Sequence, residues 1–133
     1  MIAKKKKQPN QKSKTSAVRG FLPDFSKYLF KDYPIDDAYQ NKDLITKLKN
    51  LVSELLITQN PAQDLQNNGL CKKLELMKPG IDKKFMDKCD FPEGKIYYAA
   101  YGKNAYRIVF GIDTNQRIAY FFALDNCHSV RKV

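Results

Sequence analysis

The residues best suited to chemistry lie at the end of the chain, in the segment NCHSVRKV at 126–133. This segment contains His128, the only histidine of the chain, and the cations Arg131 and Lys132. A histidine titrates near neutral pH and can act as a general acid or base. Arginine and lysine stabilise negative charge. A further arginine, Arg107, lies upstream in a strand-like stretch, so whether these side chains meet decides between an enzyme and a protein that only binds.

Three stretches rich in β-forming residues occupy the C-terminal third of the chain: GKIYYAAY, NAYRIVFGID and RIAYFFALD. Alternation along the second stretch predicts one apolar face made of Tyr106, Ile108, Phe110 and Ile112. Alternation along the third predicts one face made of Ile118, Tyr120, Phe122 and Leu124. The short polar connections at 102–104 and 113–116 have hairpin length, so the three strands are predicted to form an antiparallel meander.

The predicted meander determines where the polar residues lie relative to one another. Arg107 alternates with the apolar row, so its guanidinium is predicted to point to the opposite face. In an antiparallel hairpin the residues near 107 lie across from those near 123, which brings the strand end that leads to His128 and Arg131 towards Arg107. The pattern predicts one neighbourhood for these three residues and Lys132. The alternatives are a solvated strand arginine, a surface histidine and a frayed terminus.

The clearest helical pattern is NKDLITKLKNLVSELLITQN at 41–60. Its apolar residues recur at helical spacing: Leu44, Leu48, Leu51, Val52, Leu55 and Leu56. Asn60 and Pro61 stop the helix, because the residue before a proline is biased away from the helical region. The leucine stripe either packs on the sheet of the domain or is offered to a partner helix.

The chain before this helix is predicted to form a short strand and a short helix. Phe21 and Leu22 give the strand its apolar character. Asp24 is a plausible N-cap, Phe25 begins a helical spacing of apolar residues, and Pro34 is positioned to end that helix.

Residues 61–93 are punctuated by proline and glycine. Within them LCKKLELM predicts a short strand, and GIDKKFMDKCDFPEG predicts a loop with a helical turn. Because helices come first and strands last, the fold class is predicted to be α+β, with two N-terminal helices packed on one face of a twisted antiparallel sheet.

Positive charge is concentrated near the N-terminus. Residues 1–19 contain seven of the 24 lysines and arginines and no acidic residue, which leaves 17 basic residues against 14 acidic ones in the remainder. The composition predicts a flexible lysine-rich arm at 1–18 and a single domain at 19–133. The arm could bind phosphate backbones by counterion release, or it could act only as a solubilising tail.

The three cysteines, Cys71, Cys89 and Cys127, are odd in number and show no C-x-x-C spacing. They are predicted to be buried or incidental thiols in a reducing compartment, so the expected location is cytoplasmic. No metal site and no cofactor are implied. No stretch approaches the length of a membrane span, so no membrane partner is expected.

These patterns resemble the RelE/ParE superfamily of small bacterial toxins. In that superfamily a strand containing Tyr and Arg is followed by an apolar strand and a short basic end, and AYRIVFGID, RIAYFFALD and NCHSVRKV are similar to these three elements. LPDFSKYLFKDY is similar to the opening helix, and GLCKKLELM to the leucine-bearing strand. The resemblance covers residues 19–133 and implies a RelE-like fold. The lysine arm and the long stretch at 61–93 depart from the superfamily's pattern.

The resemblance implies a type II toxin, a metal-independent endoribonuclease that cleaves mRNA on the ribosome and is neutralised by a cognate antitoxin protein. Such cleavage needs a base for the 2′-hydroxyl proton, cations at phosphorus and an acid for the leaving 5′-oxygen. The residues predicted to be catalytic are Arg107, His128 and Arg131. The residues predicted to bind RNA are Lys72, Lys73, Tyr98, Arg117 and Lys132.

Two other functions stay open on the same residues. ParE-like members of the superfamily inhibit DNA gyrase and need no catalytic residues. A non-enzymatic nucleic-acid-binding module is the third hypothesis, in which the lysine arm supplies most of the affinity.

Overall fold

The computed structural model describes residues 20–67, 70–92, 94–101, 106–127 and 129–130. The described residues form five strands and four helices, in agreement with the predicted α+β class. In chain order they are β1 (Leu22–Asp24), α1 (Ile35–Tyr39), α2 (Lys42–Leu55), α3 (Pro61–Asn67), β2 (Lys73–Leu76), α4 (Pro79–Met86), β3 (Ile96–Ala100), β4 (Arg107–Asp113) and β5 (Ile118–Asp125). The arm predicted at 1–18 lies outside the described residues.

The strands form one sheet in the order β1-β5-β4-β3-β2. Strands β3, β4 and β5 are antiparallel neighbours, which confirms the predicted meander. Strand β1 pairs with β5 in parallel, so the sheet is mixed and the prediction of a purely antiparallel sheet is wrong. The reason is topological: the helices and three strands that separate β1 from β5 form a long connection, which allows a parallel approach that a short hairpin cannot make.

The sheet separates two apolar cores. On its first face the helices α1, α2 and α3 contribute the buried side chains Ala38, Leu44, Leu51, Leu55 and Leu65. On its second face α4 and its flanks contribute Met77, Phe85, Met86 and Cys89. The N-terminal helices thus share one face as predicted, but the expectation that helices cover only that face is wrong, because α4 covers the other. The central strands carry fully buried side chains on both faces, such as Ile108 on the first and Val109 on the second, so both faces require a cover.

A bulge in β5 changes which residues share a face. Val109 pairs with Ala123 but Phe110 pairs with Phe121, so Phe122 is an extra residue in β5. As a result Phe122 packs in the second-face core whereas Leu124 packs in the first-face core. The prediction of one face made of Ile118, Tyr120, Phe122 and Leu124 is wrong for this reason. The predicted row in β4, Tyr106, Ile108, Phe110 and Ile112, lies in the first-face core as expected.

Residues 25–34 form turns rather than the predicted helix. The backbone N–H of Leu29 donates to the carbonyl oxygen of Phe122 at 2.9 Å, and the Tyr28 hydroxyl accepts from the backbone N–H of Leu124 at 3.0 Å. These bonds to β5 replace the bonds that a helix would make within itself. Pro34 therefore precedes α1 and does not end a helix.

The other helices compare as follows. The helix predicted at 41–60 is present as α2, whose first turn is capped by the Asn41 side chain accepting from the Leu44 N–H at 3.1 Å. The predicted stop at Asn60 and Pro61 is wrong, because α2 ends at Leu55 and Pro61 begins α3. The strand predicted in 70–77 is confirmed as β2. Helix α4 replaces the predicted loop, because buried Asp82 accepts from the Lys78 N–H at 2.7 Å and closes its first turn. Among the described residues, none of the helices is long and apolar enough to cross a membrane.

Candidate functional site

Four paired residues form a row across one end of the sheet. Lys73 pairs with Ala100, Ala100 pairs with Arg107, and Arg107 pairs with Asp125. We call this region, including Lys72 and the side chains that contact the row, the polar end of the sheet. The prediction that the end of β5 lies beside Arg107 is confirmed by this register. His128, Arg131 and Lys132 lie outside the described residues, so their predicted convergence with Arg107 stays a prediction.

Arg107 is held on the second face, opposite the apolar row of β4, as predicted. Its Nε donates to the Tyr98 hydroxyl at 3.2 Å and its Nη1 donates to the carbonyl oxygen of Tyr106 at 2.8 Å. The residue as a whole is half-buried. Two hydrogen bonds of this kind restrict the rotamers of a long side chain, which prepares its charge for an anionic group.

Tyr98, predicted as an RNA-binding residue, is only 4% exposed. Its ring packs in the second-face core, so it does not present a stacking surface at this end of the sheet. What it presents to the site is its hydroxyl, which accepts from Arg107. Tyr98 therefore positions the arginine in this structure.

A carboxylate that the sequence interpretation missed lies two residues along β2 from this row. Glu75 pairs with Tyr98 across the β2–β3 ladder, and Lys73 Nζ lies 3.1 Å from its Oε2. The Glu75 side chain is 17% exposed, whereas that of Lys73 is 68% exposed. The alternation Lys-Leu-Glu in β2 was the available signal, since it places the two charged residues on one face.

The last residue of β5 was also missed, and it organises the chain that follows. The Asp125 carboxylate is fully buried and accepts from the backbone N–H groups of Cys127 at 3.2 Å, Ser129 at 2.6 Å and Val130 at 2.8 Å. It also accepts from the Ser129 hydroxyl at 3.0 Å. The residues on both sides of position 128 are thus tied to the strand beside Arg107. Aspartate at the start of a polar turn was the sequence signal.

Arg117, also predicted to bind RNA, lies at the opposite end of the β4–β5 hairpin. The hairpin pairs Asp113 with Ile118 there, roughly 20 Å along the strand from Arg107 at about 3.4 Å per residue. Arg117 Nε donates to the carbonyl oxygen of Gly20 at 3.3 Å, and its guanidinium carbon lies 4.1 Å from the centre of the Phe21 ring. The structure does not bring Arg117 together with the other predicted site residues.

Lys72 and Lys73, predicted to bind RNA, both lie at the polar end but diverge to different faces. Lys73 is on the second face with Glu75. Lys72 lines a hollow beside α2 on the first face, and its backbone N–H donates to the carbonyl oxygen of Ala100 at 2.8 Å. Two cations therefore flank the edge of the sheet, one on each side.

Within the described ranges, no cluster of three or more His, Cys, Asp or Glu side chains is arranged to hold a metal ion. In comparisons with known proteins, no family model, no curated protein and no solved structure matches the chain. The resemblance to the RelE/ParE superfamily therefore stays a prediction based on the residues quoted above.

Proposed function

We propose that this chain is the toxin of a type II toxin-antitoxin system, an endoribonuclease that cleaves mRNA on the ribosome. The observation that carries the proposal is the register at the polar end. It sets Arg107 directly beside Asp125, whose carboxylate ties down the residues around position 128. In the sequence, the single histidine of the chain lies between Cys127 and Ser129.

In the proposed reaction the 2′-oxygen of a ribose attacks the adjacent phosphorus and the bond from phosphorus to the 5′-oxygen breaks. A base takes the 2′-hydroxyl proton and an acid returns a proton to the leaving oxygen, leaving a cyclic phosphate and a 5′-hydroxyl. Arg107 stabilises the charge that builds up on the phosphate oxygens. His128 acts as acid or base, and Arg131 supplies a second cation, as the resemblance implies.

Glu75 gives the proposed site a second group that can accept a proton. Its side chain is mostly buried and is paired with Lys73, which links the acid–base group to a cation facing solvent. Lys73 and Lys132 would then bind the RNA backbone on either side of the scissile phosphate, where positive charge contributes affinity that falls with salt.

The test is a cell-free translation reaction with the purified chain, in which new mRNA ends are mapped by primer extension with and without ribosomes. We expect discrete cuts that require ribosomes. Replacing Arg107 by Ala or His128 by Ala should slow cutting by about 10²- to 10³-fold, the usual cost of removing a group that stabilises transition-state charge.

Arg117→Ala is the matched control, because it removes an arginine from the other end of the same hairpin. We expect it to cut at the rate of the unchanged chain. Uncut message with normal translation would refute the nuclease and direct the work to gyrase inhibition. Equal loss of cutting in Arg107→Ala and Arg117→Ala would refute the assignment of the site to the polar end.

A further inference from the structure

A hollow of about 330 Å³ lies on the first face of the sheet, on the side away from Arg107. It is lined by Lys47 of α2 and by Leu70, Cys71, Lys72 and Tyr101. Its volume is about ten times the roughly 30 Å³ that one water occupies in the liquid, so it can hold a small polar ligand. Of the lining residues that belong to the described part of the chain, two carry positive charge and none is acidic.

The feature that distinguishes this hollow is the hydroxyl of Tyr101. The residue is 5% exposed, and among the described residues its hydroxyl oxygen has no hydrogen-bond partner. A buried hydroxyl without a partner costs free energy, which an acceptor atom of a ligand would recover. Burial also raises the pKa of Tyr101, so the hydroxyl stays protonated and can only offer a donor to an anion.

The groups next to Tyr101 also favour an anionic ligand in the hollow. Burial raises the pKa of the Cys71 thiol to about 11, so this thiol is neutral at neutral pH and adds no negative charge to the hollow. The Tyr106 ring packs against Tyr101 with ring centres 5.9 Å apart, and its own hydroxyl donates to the Asp43 carboxylate. That carboxylate is thus engaged by Tyr106.

The backbone of Lys72 is fixed from two sides. Its N–H donates to the carbonyl oxygen of Ala100 at 2.8 Å, and its carbonyl oxygen accepts from the Gln66 side chain at 3.3 Å. The Gln66 side chain also accepts from the Leu74 N–H at 2.9 Å. Lys47 is half-buried on the rigid helix α2. The backbones that carry the two lysine side chains are therefore set before any ligand arrives, which lowers the entropic cost of binding.

We infer that this hollow is a phosphate-binding site, in which Lys47 and Lys72 neutralise the phosphate and the Tyr101 hydroxyl donates a hydrogen bond to one of its oxygens. The site does not depend on the proposed nuclease, because it uses none of the second-face residues. The phosphate can be free, can terminate a nucleotide or can belong to an RNA backbone. All three offer the same acceptor oxygens.

A second hollow on the same helix provides a natural control. It has a volume of about 320 Å³ and is lined by Tyr39, Lys42, Ile45, Thr46 and Lys49. It too contains two lysines and a tyrosine, but Tyr39 is 73% exposed and its hydroxyl is not enclosed. If paired lysines were sufficient, both hollows would bind phosphate equally.

The experiment is a titration of the ¹⁵N-labelled full chain with inorganic phosphate at constant ionic strength, followed by amide chemical shifts. We expect saturable shifts at residues 47, 70–72 and 101. The variant Lys47→Ala/Lys72→Ala should weaken binding by about tenfold or more, and Tyr101→Phe by about threefold to tenfold, as expected for lost charged hydrogen bonds. Lys42→Ala/Lys49→Ala and Tyr39→Phe should change the affinity by less than about twofold.

Tyr101→Phe keeps the ring and removes a buried unpartnered group, so it should fold at least as stably as the unchanged chain. Parallel titrations with adenosine 5′-monophosphate and with an RNA oligomer lacking terminal phosphates identify the source of the phosphate by relative affinity. Shifts that do not saturate with any of the three probes would overturn the inference. Equal weakening by the two double-lysine variants would overturn it as well. The nuclease is measured by new mRNA ends and the phosphate site by amide shifts at residues 47, 70–72 and 101, so a failed nuclease and a failed phosphate site give different results.

Discussion

Arg107 and Arg117 stand at opposite ends of one β-hairpin and show how differently the same side chain can be used. Arg117 lies over the Phe21 ring and donates to the carbonyl oxygen of Gly20, so its guanidinium joins β1 to the sheet. Arg107 donates to Tyr98 and to the Tyr106 carbonyl, in a row with Lys73 and Asp125. One arginine serves packing, and the other is positioned among charged groups.

The regions around the two arginines differ in the same way. At the Arg117 end, which we call the packed end, a Cβ on Gly20 or Gly111 would collide with neighbouring atoms at less than 3.0 Å. The polar end instead contains a fully buried carboxylate, Asp125, and a hollow beside Tyr101. Substitutions that add side-chain volume should therefore destabilise the packed end most. Substitutions that remove hydrogen bonds or charge should destabilise the polar end most.

The largest effect is expected from Gly20→Ala at the packed end. The added Cβ would lie 2.1–2.3 Å from backbone atoms of Leu55 and Leu56, which cannot move as a flexible side chain can. We expect the free energy of unfolding in urea to fall by about 3 kcal/mol or more. Gly80→Ala is the matched control, because nothing lies within 4 Å of its Cβ and the residue is in α4. Gly80→Ala should raise the free energy of unfolding by about 0.5–1 kcal/mol. Equal effects of the two substitutions would show that the surroundings of Gly20 are not tightly packed.

A smaller loss is expected from Asp125→Ala at the polar end. It removes the acceptor for the N–H groups of Cys127, Ser129 and Val130, of which only that of Val130 lies in a buried residue. We expect a loss of about 2 kcal/mol, with faster hydrogen exchange at Ser129 and Val130. Asp125→Asn retains one acceptor oxygen and should lose less. Unchanged exchange at both amides would show that another group holds this segment.

Alkaline pH should also act on the polar end. Burial raises the pKa of Tyr106 to about 12, aided by the adjacent Asp43 carboxylate, and burial raises that of Tyr28 to about 12. Because these folded-state values exceed the ordinary value of 10.0, the unfolded chain loses its protons first. Stability is therefore full below pH 10 and falls as pH rises towards 12.

The measurement for this pH prediction is the free energy of unfolding at neutral pH, near pH 10 and near pH 12, the limits set by the two tyrosines. Tyr106→Phe should cost about 1 kcal/mol at neutral pH, through the lost bond to Asp43, and should show a shallower alkaline decline. If the stability of Tyr106→Phe fell with pH as steeply as that of the unchanged chain, Tyr106 would not contribute to the alkaline loss of stability.

The smallest effect concerns the backbone of Arg117, which has a φ of 59°. Arg117→Ala loses the contacts with Phe21 and Gly20 but keeps the left-handed backbone, so it should cost about 1 kcal/mol. Arg117→Gly loses the same contacts and relieves the backbone, so it should be about 1 kcal/mol more stable than the alanine variant. Thermal unfolding of the two variants side by side measures this difference. Equal melting temperatures would show that the turn carries no strain.

Features that depend on local periodicity were predictable from the order of the residues. The leucines of α2 repeat at helical spacing, and the row from Tyr106 to Ile112 alternates, so both elements and the direction of Arg107 were predictable. The pairing of Arg107 with Asp125 followed approximately from hairpin geometry, since the prediction placed the partner near 123. These are short-range properties, and every chain with the same spacing shares them.

Tertiary structure decided the features that depend on distant partners. Residues 25–34 form hydrogen bonds to β5 in place of helical ones. The bulge at Phe122 changes which face of the sheet the following residues of β5 occupy. The complete burial of the Asp125 carboxylate and the pairing of Asp125 with Arg107 depend on strands that lie side by side. No local pattern specifies the bonds from Tyr28 and Leu29 to β5, because their partners lie more than 90 residues away along the chain.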